Sequence, residues 1–342
     1  MKIHILYSFQ NKPWGGGNQF LKALKKELEA RGVYAPSPKE ADIILFNSHH
    51  NVDEAFKIKK KYKEKIFIHR IDGPLYLTRG RSKDLDRIIY AFNEFIADGT
   101  IFQSNWCKEQ NIKIGRDSTE YEAVIHNASD KAIFTKQQKT LNPGKIKLIA
   151  SSWSSNARKG FEIYRYLDSN LDFSRYEMTF VGNSPVEFAN IKSLQPVDSR
   201  ELARILHQHD IYITASQNDP CSNSLIEALS CGLPAVALRD GGHPELVLNG
   251  GELFSSTQDV IEKIEKVAKN YHQYQSGIVE PLMEKTIQSY YEFGQKVYQD
   301  AVNKSYVPKQ ITWSSTLRFY GLKLAILKAI VKNKWFSYVR TY

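Results

Sequence analysis

Two carboxylates eight residues apart, Asp219 and Glu227, stand in SQNDPCSNSLIEALSCG (216–232), directly after the apolar run IYITAS (211–216). A chain turning from strand to helix needs no such set. Ionised carboxylates accept hydrogen bonds from hydroxyls. The small residues Ser222, Asn223 and Ser224 lead into the helix of LIEALSCG. Together with Leu225 they supply the amides of a helix N-terminus, which lack helical acceptors and favour a phosphate. The spacing therefore predicts an anion at the helix start with a carboxylate on either side, each able to hold a sugar or ribose hydroxyl. A reading without ligand also fits, because Ser224 and Glu227 have the spacing of a capping box.

Other stretches offer matching chemistry. Arg158 and Lys159 in ARKGF (157–161) are cations suited to a phosphate. In NKPWGGGNQF (11–20), Gly16 and Gly17 allow the backbone to approach a ligand closely, and a plain flexible turn is the alternative. FIHRIDGP (67–74) presents His69, Arg70 and Asp72 at the end of an apolar run, with the Asp72 carboxylate at a tight turn that gives it no evident structural task. His49 and His50 follow the preceding run. As neighbours they are expected to point apart, which argues against a shared metal. Asp84 and Asp86 in SKDLDRIIYAF are expected to face solvent from a surface helix, so no metal site is predicted.

These residues sit at the ends of a regular series. IHILYSF (3–9), ADIILFN (41–47), KIFIHR, GTIFQS (99–104) and YEAVIHN (121–127) read as strands, separated by amphipathic helices such as NQFLKALKKELEARG (18–32). After a Pro-Gly turn at 143–144 a second series begins, with strands KIKLIASS, YEMTFVG, DIYITAS and LPAVALR and a helix opening at Asp198. Strand–helix alternation predicts parallel sheets covered on both faces. Two such domains would leave a cleft at the carboxyl ends of their strands, where open α/β sheets bind ligands.

The length of 342 residues fits two domains, and 42% hydrophobic with 25% charged residues suits a globular chain with a full core. Cys107, Cys221 and Cys231 are odd in number and lack ligand spacing, which predicts a reducing, cytoplasmic setting. MKIHILYSF does not make a signal peptide, and no uncharged apolar run approaches the roughly 20 residues of a membrane span. The net charge of +10 is concentrated at the end: no acidic residue follows Asp300, whereas eight basic residues do. Residues 1–300 carry 39 basic and 37 acidic side chains, so the body needs no polyanionic partner and nucleic acid is excluded. Aromatic residues are interleaved with the charges of 304–342. That segment reads either as a membrane-surface element for anionic lipid or as a helix packed on the body.

The block 217–247 resembles the signature of the retaining glycosyltransferases of family 4, which have the GT-B fold. That signature carries a loop acid beside the donor sugar and, with seven residues between, a helix acid that binds the nucleotide ribose. Glu227 matches the second, and Asp219 stands where the family has Glu, one methylene shorter. CGLPAVAL and GGHPELV look like the small-residue helix end, the next strand and the Gly-Gly loop. VIHNASDKAIF (124–134) is similar to the interdomain hinge, ARKGF to the Lys-Gly that begins the first helix of the nucleotide-binding domain, and IQSYYEFGQKVYQD (287–300) to the closing helix. The family's earlier Arg is replaced here by SSWSSN, which leaves its role to Arg158 or the pocket shape to Trp153.

The resemblance implies two Rossmann-like domains facing across a cleft, with a basic helical tail. The boundaries are 1–130 (acceptor side), 131–144 (linker), 145–285 (nucleotide-sugar binding), 286–303 (a helix returning to the first domain) and 304–342 (tail). It implies metal-independent transfer with retention, from a nucleoside-diphosphate-sugar to a saccharide or lipid-linked acceptor in cell-surface polysaccharide synthesis. The enzyme would be cytoplasmic, free or peripheral at the inner face of the membrane. Asp219, Glu227, Arg158, Lys159 and Asp72 would be catalytic. Gly16, Gly17, Ser222, Asn223, Ser224, Leu225 and Glu227 would hold the donor, and His49, His69 and Arg70 would lie on the acceptor side. A sugar-nucleotide 2-epimerase of the same fold, or a saccharide- or nucleotide-binding protein without catalysis, are the alternatives.

Overall fold

The computed structural model describes residues 1–10, 16–141 and 144–325. Five parallel strands, β1 (Ile3–Leu6), β2 (Ile43–Asn47), β3 (Ile66–Ile71), β4 (Gly99–Phe102) and β5 (Glu122–Val124), lie side by side in chain order. Their register is continuous, with Ile44 opposite Phe67 and Ile68 opposite Gly99. Apolar runs such as IILFN and IFIHRI are buried along their whole length because helices cover both faces. One face packs on α1 (Gly16–Ala30), through Phe20, Leu21 and Leu24, and the other on α2 (Val52–Lys61) and α4 (Lys83–Ile96).

The second sheet has six parallel strands in the order β11-β10-β9-β6-β7-β8. They are β6 (Ile146–Ser152), β7 (Tyr176–Gly182), β8 (Lys192–Leu194), β9 (Ile211–Thr214), β10 (Ala235–Leu238) and β11 (Gly251–Phe254). The strand order reverses between β6 and β9, which is where a doubly wound sheet opens a crevice beyond its carboxyl ends. Both candidate loops leave from that point: the turn Ala157–Lys159 follows β6, and 215–222 follows β9. Helices α6 (Phe161–Asn170) and α10 (Val260–Lys269) cover one face; α7 (Ser199–Leu206) and α8 (Asn223–Ser230) cover the other.

Helix α12 (Met283–Val302) returns to the first domain. Met283, Ile287, Tyr290 and Val297 complete the core shared by α1 and the first sheet, and Arg31 donates to Gln288 at 3.0 Å. Buried Asp98 then fixes the chain that follows, accepting from Lys59 at 2.6 Å, the Phe67 amide at 2.7 Å, the Tyr306 hydroxyl at 3.0 Å and the Lys309 amide at 2.7 Å. A helix over 313–325 lies against the outer face of the first domain. Phe319 stacks on Phe56 at 3.9 Å, Arg318 pairs with Glu94 through both carboxylate oxygens, and Lys323 meets Asp53 at 3.0 Å. So far as 325, the tail packs on the body through one side. Residues 326–342 lie outside the described residues. Among the described residues no helix is long and apolar enough to cross a membrane.

The sequence reading of Asp86 needs correction. Asp84 is exposed, but Asp86 is buried and accepts the Leu75 and Tyr76 amides at 2.7 and 2.9 Å, capping the short helix α3 (Leu75–Arg79) from within α4. Replacing it with Ala strands two amides, and Asp86→Ala is expected to cost about 2–4 kcal/mol. The reading is a lowered denaturant midpoint at unchanged slope. A midpoint like that of the wild type would show that the turn finds other acceptors.

Candidate active site

Ser222, not Ser224, is the N-cap of α8, and its hydroxyl accepts from the Leu225 amide at 3.4 Å. The capping-box reading of Ser224 and Glu227 is therefore not realised, since Glu227 lies a full turn inside the helix. The Asn223 and Ser224 amides find no acceptor among the described residues. The Glu227 carboxyl also lacks a hydrogen-bond partner among them and lines a cavity of about 220 Å³. Burial with no compensating donor pushes its pKa up to about 8.

The first domain and the hinge face that cavity with Gly16, Gln19, Lys26, Ser129 and Asp130 among others, Lys26 being paired to Asp130 at 3.1 Å, while Ser199, Asn223 and Ile226 complete the second-domain side. Helix α1 starts at Gly16 directly against the start of α8. A Cβ on Gly16 would fall 2.5 Å from Asn223 Nδ2. Two helix N-termini thus converge with their partial positive charges, an arrangement that an intervening anion stabilises. Gly17 follows in the first turn of α1, while residues 11–15 of the same loop lie outside the described residues. A second hollow, beside Glu284, Lys285, Gln288 and Ser289 on α12, carries none of the candidate residues.

Asp219 and the cations meet at the switch point. Lys159 Nζ lies 3.1 Å from Asp219 Oδ2 and donates to Ser216 Oγ at 3.3 Å. Burial would raise the Asp219 carboxyl, but Lys159 and His243 outweigh it and hold it below its ordinary value. Gly160, at φ 73°, makes this approach possible, because a Cβ there would fall on the Ala215 carbonyl. Gly241, at φ 61°, similarly lies on the Asp219 backbone, and the Gly242 amide donates to Asp219 O at 2.8 Å. The Gly-Gly pair of GGHPELV is thus a seat for the Asp219 loop. Arg158 extends across the cleft to within 3.9 Å of the Cβ position of Gly80.

On the first-domain side the outcome is mixed. Asp72 is partly exposed and has the structural ties the sequence did not suggest: Arg70 Nη1 at 3.0 Å and the Gln103 amide. His69 and Arg70 are corrected. Both are fully buried, because β3 is covered on both faces. His69 stacks on Phe46 at 4.2 Å with Nε2 on Ser48 O, and cannot touch an acceptor. Arg70 instead donates to Asn47 at 2.6 Å and Asn127 at 2.7 Å. Asn127 in turn donates to Asn223 at 3.1 Å, which links the first sheet to the start of α8. His49 and His50 do not point apart: their rings lie 4.3 Å apart, and burial together with His50 pushes His49 down to about 4.

Sequence reasoning missed the contact that closes the cleft. Glu245, in α9 (His243–Val247), reaches the first domain and caps α5 (Asn105–Lys113) from outside. It accepts from the Asn105 and Trp106 amides at 2.8 and 2.9 Å, from Asn105 Nδ2 at 2.9 Å and from His126 at 3.1 Å. Burial opposes the charge, yet these donors bring its pKa down to about 2. An acid three residues after Gly242 was visible, but its partners are about 140 positions away.

The fold has counterparts among solved structures. Residues 169–270 match the family model described as "Glycosyl transferases group 1". The chain superposes on HepE of Anabaena in complex with UDP-glucose with a TM-score of 0.60 at 16% identity, over 89% of this chain and 99% of that one. It superposes on sucrose-phosphate synthase of Thermosynechococcus elongatus with a TM-score of 0.63 at 14% identity, over 96% and 100%. The fold is GT-B, and residues 169–270 match a group 1 glycosyltransferase domain. A curated protein of Thermosipho melanesiensis, described as a probable sucrose-phosphate synthase, is 28% identical to the GT-B chain over 153 residues. That alignment covers 42% of the GT-B chain and only 36% of the curated protein's length.

Proposed function

We propose that this chain transfers a sugar, with retention and without a metal, from a nucleoside-diphosphate-sugar to a saccharide or lipid-linked acceptor. One observation carries the reading: among the described residues Glu227 faces the cavity without a protein partner, beside two amides of α8 that also have none. The ribose hydroxyls of a nucleotide would donate to Glu227, and the diphosphate would lie between the starts of α1 and α8. Arg158 and Lys159 would neutralise charge growing on the leaving phosphate. Asp219 and Asp72 would hold hydroxyls of the sugar near the reacting carbon. In the transfer the bond from the anomeric carbon to the phosphate oxygen breaks, and the acceptor oxygen bonds to that carbon from the same face. The acceptor proton passes to the departing phosphate, giving a glycoside and a nucleoside diphosphate. A UDP-glucose complex of a protein with this fold supports a donor of this class. A role in cell-surface polysaccharide synthesis, peripheral to the inner face of a membrane, would bring lipid-linked acceptors within reach.

The test is thermal unfolding against UDP, GDP, ADP and CMP, with and without EDTA. A ligand at about a hundred times its dissociation constant adds about 2.7 kcal/mol. One diphosphate is expected to raise Tm by a few degrees, equally with EDTA. A shift that EDTA removes would overturn the metal-free mechanism, and no shift with any nucleotide would overturn the donor site.

A further inference from the structure

We infer that the outer face of the 313–325 helix, together with the lysines of α2, is a docking surface for an anionic lipid bilayer. The inference deepens the peripheral location proposed above and rests on it.

Trp313, Leu317, Tyr320 and Leu324 are 57–78% exposed, whereas Phe319 on the same helix is 3% exposed. Their spacing of four, three and four residues places all four on one side of a helix. The opposite side is held by the Phe319–Phe56 stack and by the Arg318–Glu94 and Lys323–Asp53 pairs. The helix therefore cannot roll to bury its apolar stripe without breaking those contacts. A stripe of two aromatic and two leucine side chains fixed outward matches the depth of a headgroup layer, where Trp and Tyr rings and Leu side chains are favoured.

Charge selects the occupant. The helix lies beside α2, touching it at Phe56 and Asp53, and Gln310 donates to the Lys63 carbonyl at 3.1 Å. Lys57, Lys60, Lys61 and Lys63 are exposed there. No acidic residue occurs in 301–342, and Lys328, Lys332, Lys334 and Arg340 follow in the sequence. A second copy of this chain would bring the same cations against themselves, whereas an anionic lipid surface attracts each of them.

The full-length protein should be sedimented with vesicles of phosphatidylcholine alone and with vesicles also containing phosphatidylglycerol. Binding is expected only to the second, and it should weaken as salt is raised. The double variant Leu317→Glu/Leu324→Glu changes only exposed positions, so its fold and its Tm response to nucleotide should persist. Its partition onto the anionic vesicles should fall about a hundredfold. Wild-type protein that ignores anionic vesicles, or a variant that binds them equally, would overturn the inference. So would a concentration-dependent dimer that the variant abolishes, which would assign the face to self-association. Protein that binds the vesicles yet responds to no nucleotide would support the docking surface and overturn the transfer reading instead.

Discussion

Replacing Glu227 with Gln is expected to stabilise the unliganded protein at alkaline pH while weakening its hold on nucleotide. Burial raises the Glu227 pKa from 4.5 to about 8, so the folded state binds a proton that the unfolded chain has already released. For an acid shifted upward, stability is greatest below the unfolded value and falls as pH rises through the folded one. The span sets an upper limit of about 5 kcal/mol, and contact with cavity solvent lowers it to about 2 kcal/mol. Urea midpoints of wild type and Glu227→Gln should run parallel below pH 4.5, diverge as pH rises from 4.5 to about 8 and differ by a constant amount above that, with the variant relatively the more stable. Ligand moves the same equilibrium the other way. In the proposed site ribose hydroxyls would donate to the ionised carboxylate, so nucleotide binding near neutral pH should release a proton, seen as a binding enthalpy that depends on the buffer. Gln offers the diol a weaker acceptor, and affinity should fall at least about tenfold. Equal affinity in the two proteins would remove Glu227 from the donor site.

The second large effect is expected at Glu245. Its carboxyl joins the domains through four donors on one side of the cleft. With the pKa depressed from 4.5 to about 2, the charged form is favoured in the closed arrangement by at most about 3 kcal/mol. That contribution is complete above 4.5 and is lost as pH falls through about 2. Glu245→Ala should shift the balance between closed and open cleft by a factor on the order of a hundred. Gly16 rests against Asn223 in the closed form, so a donor phosphate could enter between them only when the domains part. Solution scattering at neutral pH should give a larger radius of gyration for the variant, while each domain keeps its secondary structure. An unchanged radius would mean that α12 and the hinge hold the cleft closed without Glu245.

Both effects show where the sequence was readable. Buried parallel strands appear as continuous apolar runs, so nine of the eleven strands among the described residues could be located. The two that could not, β8 and β11, are short: β8 is an exposed edge written KSL, and β11 begins on a glycine. Helix α8 and its small-residue start were legible because local composition decides them. Burial along a strand was less so. In β3 both faces are covered, and nothing in FIHRIDGP distinguishes a cleft-facing His69 from one stacked beneath the sheet. Asp86, Glu245 and Asn127 escaped for a related reason: each has a polar side chain whose partners lie elsewhere in the chain, at distances no local spacing encodes.

The return of α12 governs the order in which the molecule can assemble during synthesis. The core of the first domain needs Met283, Ile287, Tyr290 and Val297, and its outer face needs Phe319. Both are translated after the whole second sheet. The ribosome thus delivers the N-terminal half first but withholds the pieces that seal it. Folding from the N-terminus onward, the usual course for multidomain chains, would on this connectivity be inverted. The second domain can mature as an uninterrupted segment while the first remains open on two sides. A nascent chain stalled just before Met283 would carry a finished second domain and an unfinished first. It would be the N-terminal half, although older, that still needed a chaperone.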